Sequence, residues 1–262
     1  MSTHELVTFS LEGKVALIGL NRAEKRNAIN DAVIAAIETA VERAQREARA
    51  MVIYGNGPCF CAGLDLVEHE TRPAEEVLHH SRSWHRAFRK LRHGLVPAVA
   101  ALHGATIGGG LELAAACHLR VADRTAFFAL PEGSRGIYVG GGASVHVARL
   151  IGASRMADMM LTGRVLDAAM GERIGLVNYL VDEGEAKSKA VELARKIATT
   201  APLTALGVLQ ALPRIQDMSE DDGLFVESLM AALSQTGPEA AQRLAEFAQK
   251  RGAKVKGPPT PR

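Results

Sequence analysis

A chain of 262 residues, 47% hydrophobic and 23% charged, is long enough for one large domain with a smaller appendage and can bury a substantial core. Its 31 basic and 29 acidic residues leave a net charge of +2, which gives no ground for a nucleic-acid, membrane-surface or polyanionic partner and leaves a small anionic substrate open. The odd count of three cysteines, the polar start over residues 1–6 and a longest apolar run (95–102) broken by Pro97, well short of the ~20 residues of a membrane helix, together predict a soluble, reduced, cytoplasmic protein.

The opening "LVTFSLEGKVALIGLNR" predicts a hairpin that turns at Glu12-Gly13-Lys14. In "INDAVIAAIETAVERAQREARA" the apolar residues at 33, 34, 37, 41, 44 and 48 keep the spacing of one helix face, with Asn30 or Asp31 as cap. "MVIYG" follows as a buried strand. The polar, histidine-rich "VEHETRPAEEVLHHSRSWHRAFRKLRHG" predicts a pair of surface helices. Next, "VPAVAALHG" predicts a strand, "LELAAACH" a helix, "LRVAD" and "AFFAL" short strands, and "GGGASVHVARLIG" a helix opening at a glycine run. This alternation argues for an α/β arrangement of mostly parallel strands over 1–200. Over 201–262 no strand candidate remains: "APLTALGVLQALP", "EDDGLFVESLMAALSQ" and "PEAAQRLAEFAQKR" predict helices, and Leu224, Phe225, Leu229 and Leu233 suggest a subunit contact. The tail "GAKVKGPPTPR" reads as frayed.

The chemistry concentrates in "HGATIGGGLELAAACHLRVAD", where three glycines precede a helix and Glu112 stands in its first turn. The first N–H groups of a helix have no internal partner and lie at the positive end of the macrodipole, so bare backbone there lets a ligand oxygen approach. Tight packing of helix on strand is the alternative. A phosphate loop and a dinucleotide fingerprint both fail on spacing, which leaves an oxyanion site. Glu132, in "FALPEGSRG", is a second carboxylate where the chain must turn, and "NGPCFCAGLDLVEH" offers another backbone N–H with Asp65 as a helix cap. Each glutamate taken singly reads as a solvated surface residue. Cys59 and Cys61, with His69 isolated beyond them, read as small core residues rather than metal ligands, and no metal is expected.

At this point the chain resembles the crotonase superfamily of enoyl-CoA hydratases and isomerases. The matching segments are "LNRAEKRNAIN", "FCAGLDL", "PAVAALHGATIGGGLELAAACHLRVAD", "FALPEGSRGIYVGGGASVHVARLIG", "GERIGLVNYLV" and "AAQRLAEFAQKR", in order and spanning nearly the whole chain. The resemblance implies a spiral of strand-strand-helix turns followed by a helical region that builds homotrimers, often paired as hexamers. It implies a bound acyl-CoA whose thioester carbonyl sits between the N–H groups of Leu64 and Gly109. It places the two alkene-flanking glutamates on Glu112 and Glu132 and a water-positioning N–H on Gly140, and it puts coenzyme A contacts at Arg22, Lys25, Ala62, Asp65 and Leu66, with Lys250 and Arg251 near the end. The function it implies is hydration of an enoyl-CoA without metal or redox cofactor; a double-bond isomerase and a non-catalytic acyl-CoA binder are the rivals.

Two positions depart from the family pattern: Val139 replaces the frequent proline before the water-holding glycine, and Val67 stands where hydratases often carry a basic or polar residue. Tyr138 and Val139 are therefore expected to line an unusual acyl pocket. Arg135 reads as a surface residue. His79, His80, His85 and His93 read as the polar face of a solvated helix, and His146 as structural.

Overall fold

The computed structural model describes residues 5–67 and 72–249, which leaves His69, Lys250 and Arg251 outside the described residues. Two compact units divide the chain, Met1–Thr199 and Thr200–Arg262.

In the first unit β1 (Val7–Glu12) and β2 (Val15–Leu20) form the expected hairpin, closed by Gly13 at φ 61°. Helix α1 (Asp31–Glu47) begins where the Asn30 side chain accepts the Val33 N–H at 3.0 Å, and it buries Val33, Ile34, Ile37, Val41 and Ala44. Strand β3 (Ala50–Gly55) then runs parallel to β2. The histidine-rich segment holds one helix among its described residues, α2 (Ala74–Arg92), rather than a pair. Its Trp84, Ala87, Phe88 and Leu91 recur at helical spacing and sink into the core, so only one face of this polar sequence is solvated.

Next come β4 (Ala98–Leu102), β5 (Ala105–Ile107), α3 (Gly109–Ala116), β6 (Leu119–Asp123) and β7 (Phe127–Ala129). After them follow α4 (Ala143–Ile151), α5 (Ala153–Thr162), β8 (Leu166–Asp167), α6 (Ala168–Arg173), β9 (Tyr179–Val181) and α7 (Ala186–Ile197). The main sheet has the order β1-β2-β3-β4-β6-β9 and is parallel from β2 onward. A small second sheet, β5-β7-β8, stands apart from it.

Both faces of the main sheet are covered. Along β2, Ala16, Ile18 and Leu20 join the core shared with α1, α2 and α3, while Val15 and Leu17 join a second core against Ala190, Val191 and Ala194 of α7. Burial on two faces is why these strands read as continuous apolar runs instead of alternating ones. Burying each of the valine, leucine and isoleucine side chains contributes about 1.5–3 kcal/mol relative to exposure.

In the second unit α8 (Pro202–Leu206), a π-helical stretch (Gly207–Ala211) and α9 (Leu212–Ile215) follow one another directly, and α10 (Glu220–Gln235) and α11 (Pro238–Ala248) come after them. No strand occurs among its described residues.

Candidate active site

Parallel strands deliver the segments that follow them to the same edge of a sheet, the usual location of α/β ligand sites. Here the segment after β3 and the β5–α3 junction are stitched together there. Cys61 bridges Thr106, with the Cys61 N–H on Ala105 O at 2.9 Å and the Ile107 N–H on Cys61 O at 3.1 Å. Leu64 bridges Ile29 in parallel register: the Ile29 N–H donates to Gly63 O at 2.8 Å and the Asp65 N–H to Ile29 O at 2.9 Å. In that register Leu64's own N–H is directed away from Ile29.

The segment "LNRAEKRNAIN" is the clamp that holds this loop. Asn27, in the left-handed region at φ 55°, donates to the carbonyls of Asn56, Cys59 and Phe60 and accepts the Arg22 N–H at 3.0 Å. Arg22 Nη1 reaches Asp65 Oδ2 at 3.1 Å and Ala28 O at 2.7 Å. Both side chains of this ion pair are buried, and the pair secures the loop that carries Leu64. Lys25 remains partly exposed beside Asp65, the Ala62 N–H is spent on Arg26 O, and Leu66 is exposed at the cleft mouth.

Each glycine of the triple run has its own reason. Gly108 sits at φ 50°, ψ −120°, where a side chain is strained, and a Cβ there would lie 2.6 Å from Glu132 Oε1. A Cβ on Gly109 would meet the Trp84 ring at 2.6 Å, and one on Gly110 would meet Cys61 O at 2.5 Å. The Gly109 Cβ position lies only 3.6 Å from Leu64 N, so the backbones of the two segments run in close contact here. Among the described residues neither of these N–H groups finds an acceptor. Gly109 opens α3, where the ladder leaves it none.

These segments line a cleft with an empty volume of about 740 Å³, its open mouth included. Glu112, in the first turn of α3 and only 3% exposed, projects into it, and its Oε1 accepts the N–H groups of Gly141 (2.8 Å) and Ala143 (3.0 Å). Burial pushes its carboxyl up to about 7 against those two hydrogen bonds, and the nearby Glu132 charge adds to the rise. Glu132 follows β7 at the start of a 3₁₀ turn (Gly133–Arg135) and is 8% exposed. Burial pushes its carboxyl above the ordinary range as well, opposed by its own N–H and the Arg135 cation. Its Oε2 is buried with no hydrogen-bond partner. Two carboxyls with elevated pKa values thus face one cleft that Leu64 and Gly109, whose N–H groups find no acceptor among the described residues, also line. That arrangement can exchange protons near neutral pH while holding negative charge on a substrate oxygen.

Gly140 lines the cleft and its carbonyl accepts the Ser81 hydroxyl at 2.6 Å. Tyr138 lines it too, as does Ile137, but Val139 packs into the core, which corrects its assignment to the acyl pocket. Arg135 is exposed yet lines the cleft. His80 also departs from expectation: its Nδ1 lies 2.7 Å from Asp31 Oδ1, its side chain is 11% exposed and it faces the cleft together with Val77, Ser81 and Trp84. Spacing of 77, 80, 81 and 84 marks one helix face and is the signal that could have found them. Cys59, Cys61 and Cys117 are buried free thiols. The Cys61 thiol, pushed up to about 12 by burial, donates to Asn27 O at 3.0 Å.

The chain is similar to known proteins over most of its length. The enoyl-CoA hydratase/isomerase family profile matches residues 10–257. The Arabidopsis thaliana protein named "Probable enoyl-CoA hydratase 2, mitochondrial" is 35% identical over 237 residues, 89% of this chain and 79% of that protein. The 2,3-dehydroadipyl-CoA hydratase of Escherichia coli K12 is 32% identical over 254 residues, covering 95% and 97%. A crystal structure from Rhodopseudomonas palustris CGA009, described as a candidate enoyl-CoA hydratase, superimposes with a TM-score of 0.92 at 51% identity over 94% of this chain and 95% of that one. The chain belongs to the enoyl-CoA hydratase/isomerase family.

Proposed function

We propose that this protein is an enoyl-CoA hydratase, adding water reversibly across the α,β double bond of an acyl-CoA thioester. The observation that carries the reading is the pairing of two buried carboxyls, Glu112 and Glu132, with the unpaired N–H groups of Leu64 and Gly109 in one cleft. The thioester carbonyl oxygen accepts both N–H groups, which draws electron density from the alkene and stabilises the enolate as it forms; losing one such donor typically costs ~3–4 kcal/mol. The carboxyl pair holds a proton between its members because two charges in one enclosed site oppose each other. One member takes a proton from water as its oxygen bonds to C3, and the pair returns a proton to C2, so hydrogen and oxygen balance as one water added. Gly140, on the same wall, positions that water. Acid–base and electrostatic effects account for each step, so the reaction is written with no cofactor beyond the coenzyme A of the substrate.

Lys25, with the backbone at Ala62 and Leu66, meets coenzyme A, and Tyr138 borders the acyl group. The helical region builds a homotrimer, single or paired, through apolar residues of α10 that stand exposed: Leu224 (57%), Phe225 (64%), Leu229 (48%) and Leu233 (53%). Three buried free thiols suit a reducing compartment such as the cytoplasm.

The test is crotonyl-CoA incubated with the protein in ¹⁸O-water, read by mass spectrometry. Label at C3 of a 3-hydroxybutyryl product is expected. With 3-enoyl and 2-enoyl substrates, double-bond migration and no label would replace this reading with isomerisation, and tight acyl-CoA binding without turnover would replace it with a binding role.

A further inference from the structure

Trp84 is 3% exposed, yet it lines the cleft. Its six-membered ring leans on the backbone at two places: a Cβ on Gly109 would lie 2.6 Å from Cζ3, and one on Gly141 would lie 2.9 Å from Cε3. The ring thus spans the gap between the glycine that offers an N–H and the loop whose N–H groups hold Glu112. Nor can it swing back. Phe88 meets it edge-on at 5.7 Å from behind, and Phe88, Ala87 and Leu91 are themselves fully buried. On its other flank His80 meets it edge-on at 5.9 Å, and His80 is held by Asp31. Interiors packed at this density do not yield space for extra methylenes without a cost of about 1–3 kcal/mol.

We propose that Trp84 is the size-limiting inner wall of the acyl pocket, so that the protein acts on short or compact acyl groups and discriminates against long straight chains. This rests on the hydratase reading, which fixes the thioester oxygen at Leu64 and Gly109. From there the first acyl carbons pass Glu112 and Glu132, and a chain that continues inward meets the indole face. Of the other apolar walls, Val77, Ile137 and Tyr138 are exposed and set no such limit.

Two measurements test this. First, kcat/KM is compared for crotonyl-CoA, 2-hexenoyl-CoA and 2-decenoyl-CoA in the wild type and in Trp84→Leu. The wild type is expected to fall at least tenfold from the four-carbon to the ten-carbon chain, and the variant to shift that ratio at least tenfold toward the longer chain. A flat wild-type profile, or a folded variant with the same ratio, overturns the proposal. Second, Trp84 is the one tryptophan of the chain, so intrinsic fluorescence reports this wall without any substitution. Unreactive butyryl-CoA should change it saturably while free coenzyme A, bound to the same extent by calorimetry, leaves it unchanged; an equal response to both overturns the assignment. Were the fluorescence response present but no enoyl-CoA hydrated, the hydratase reading would fall and the wall would stand.

Discussion

A buried acid whose pKa is raised to about 7 has a consequence for stability as well as for catalysis. The fold favours the protonated form of Glu112, so its stabilising contribution is complete below the unfolded value near 4.5 and is lost as pH rises through about 7. At ~1.4 kcal/mol per unit the loss is on the order of 3 kcal/mol. Glu112→Gln keeps an acceptor for Gly141 and Ala143 and never ionises, so its melting temperature should exceed that of the wild type at pH 8 and converge with it near pH 4. A variant no more stable than the wild type at pH 8 would show that the carboxylate is accommodated without strain. The same substitution, and Glu132→Gln, should each lower turnover by ~10²–10⁴, the usual weight of general acid–base catalysis. The double variant should lose far less than the product, since the pair acts as a unit. Single-turnover rates measure both, and near-normal hydration by either single variant would refute two-carboxylate chemistry. At this scale the family resemblance singled out Glu112, Glu132, Leu64 and Gly109, and the structure brings these four to one cleft. The sequence did not show that Arg22 and Asp65 pair with each other, since a letter does not reveal whether a charge is spent on a neighbour, and its reading passed over Trp84 among histidines and arginines.

Helix α3 shows why the start of an element can matter more than its length. Its eight residues are all buried, so no amphipathic stripe marks it in the sequence, and its identity rests on the glycine run and the small residues behind it. Strand β5, three residues between Gly104 and Gly108, escaped the reading for a related reason: its pairing with β7 is non-local and leaves no periodicity to see. The single helix α2, by contrast, was split in expectation because average polarity outweighed its buried face. The packing at the start of α3 yields a coupling prediction. Gly109→Ala keeps the N–H but drives a methyl against the Trp84 ring, an overpacking expected to cost about 1–3 kcal/mol and to lower turnover. Adding Trp84→Leu should return much of the lost stability, a non-additivity readable in a denaturant double-mutant cycle. Additive losses would mean that the backbone, not the ring, excludes the methyl.

At the scale of the molecule, the helical unit Thr200–Arg262 carries the exposed apolar row of α10 that the sequence already suggested as a contact. Such a patch is costly in water and calls for cover. Phe225→Glu should shift sedimentation from a trimer or hexamer to smaller species, whereas an unchanged oligomer would place the contact elsewhere. The alternation of strands and helices was legible because the periodicity of apolar residues carries it; the two-sided burial of the main sheet was legible only as unbroken apolar runs. The buried thiols, finally, turn the protein into its own chemical clock. Cys61 lies inside the clamp that carries Leu64, hydrogen-bonded to Asn27, and with Cys117 it is pushed up to about 12, so neither is a thiolate at pH 8. Alkylation of Cys61 then requires the clamp to part, and its rate in native buffer measures how often that happens. On the proposed function an acyl-CoA held at Leu64 should slow that clock, so that a thiol with no part in the chemistry times the opening of the site itself.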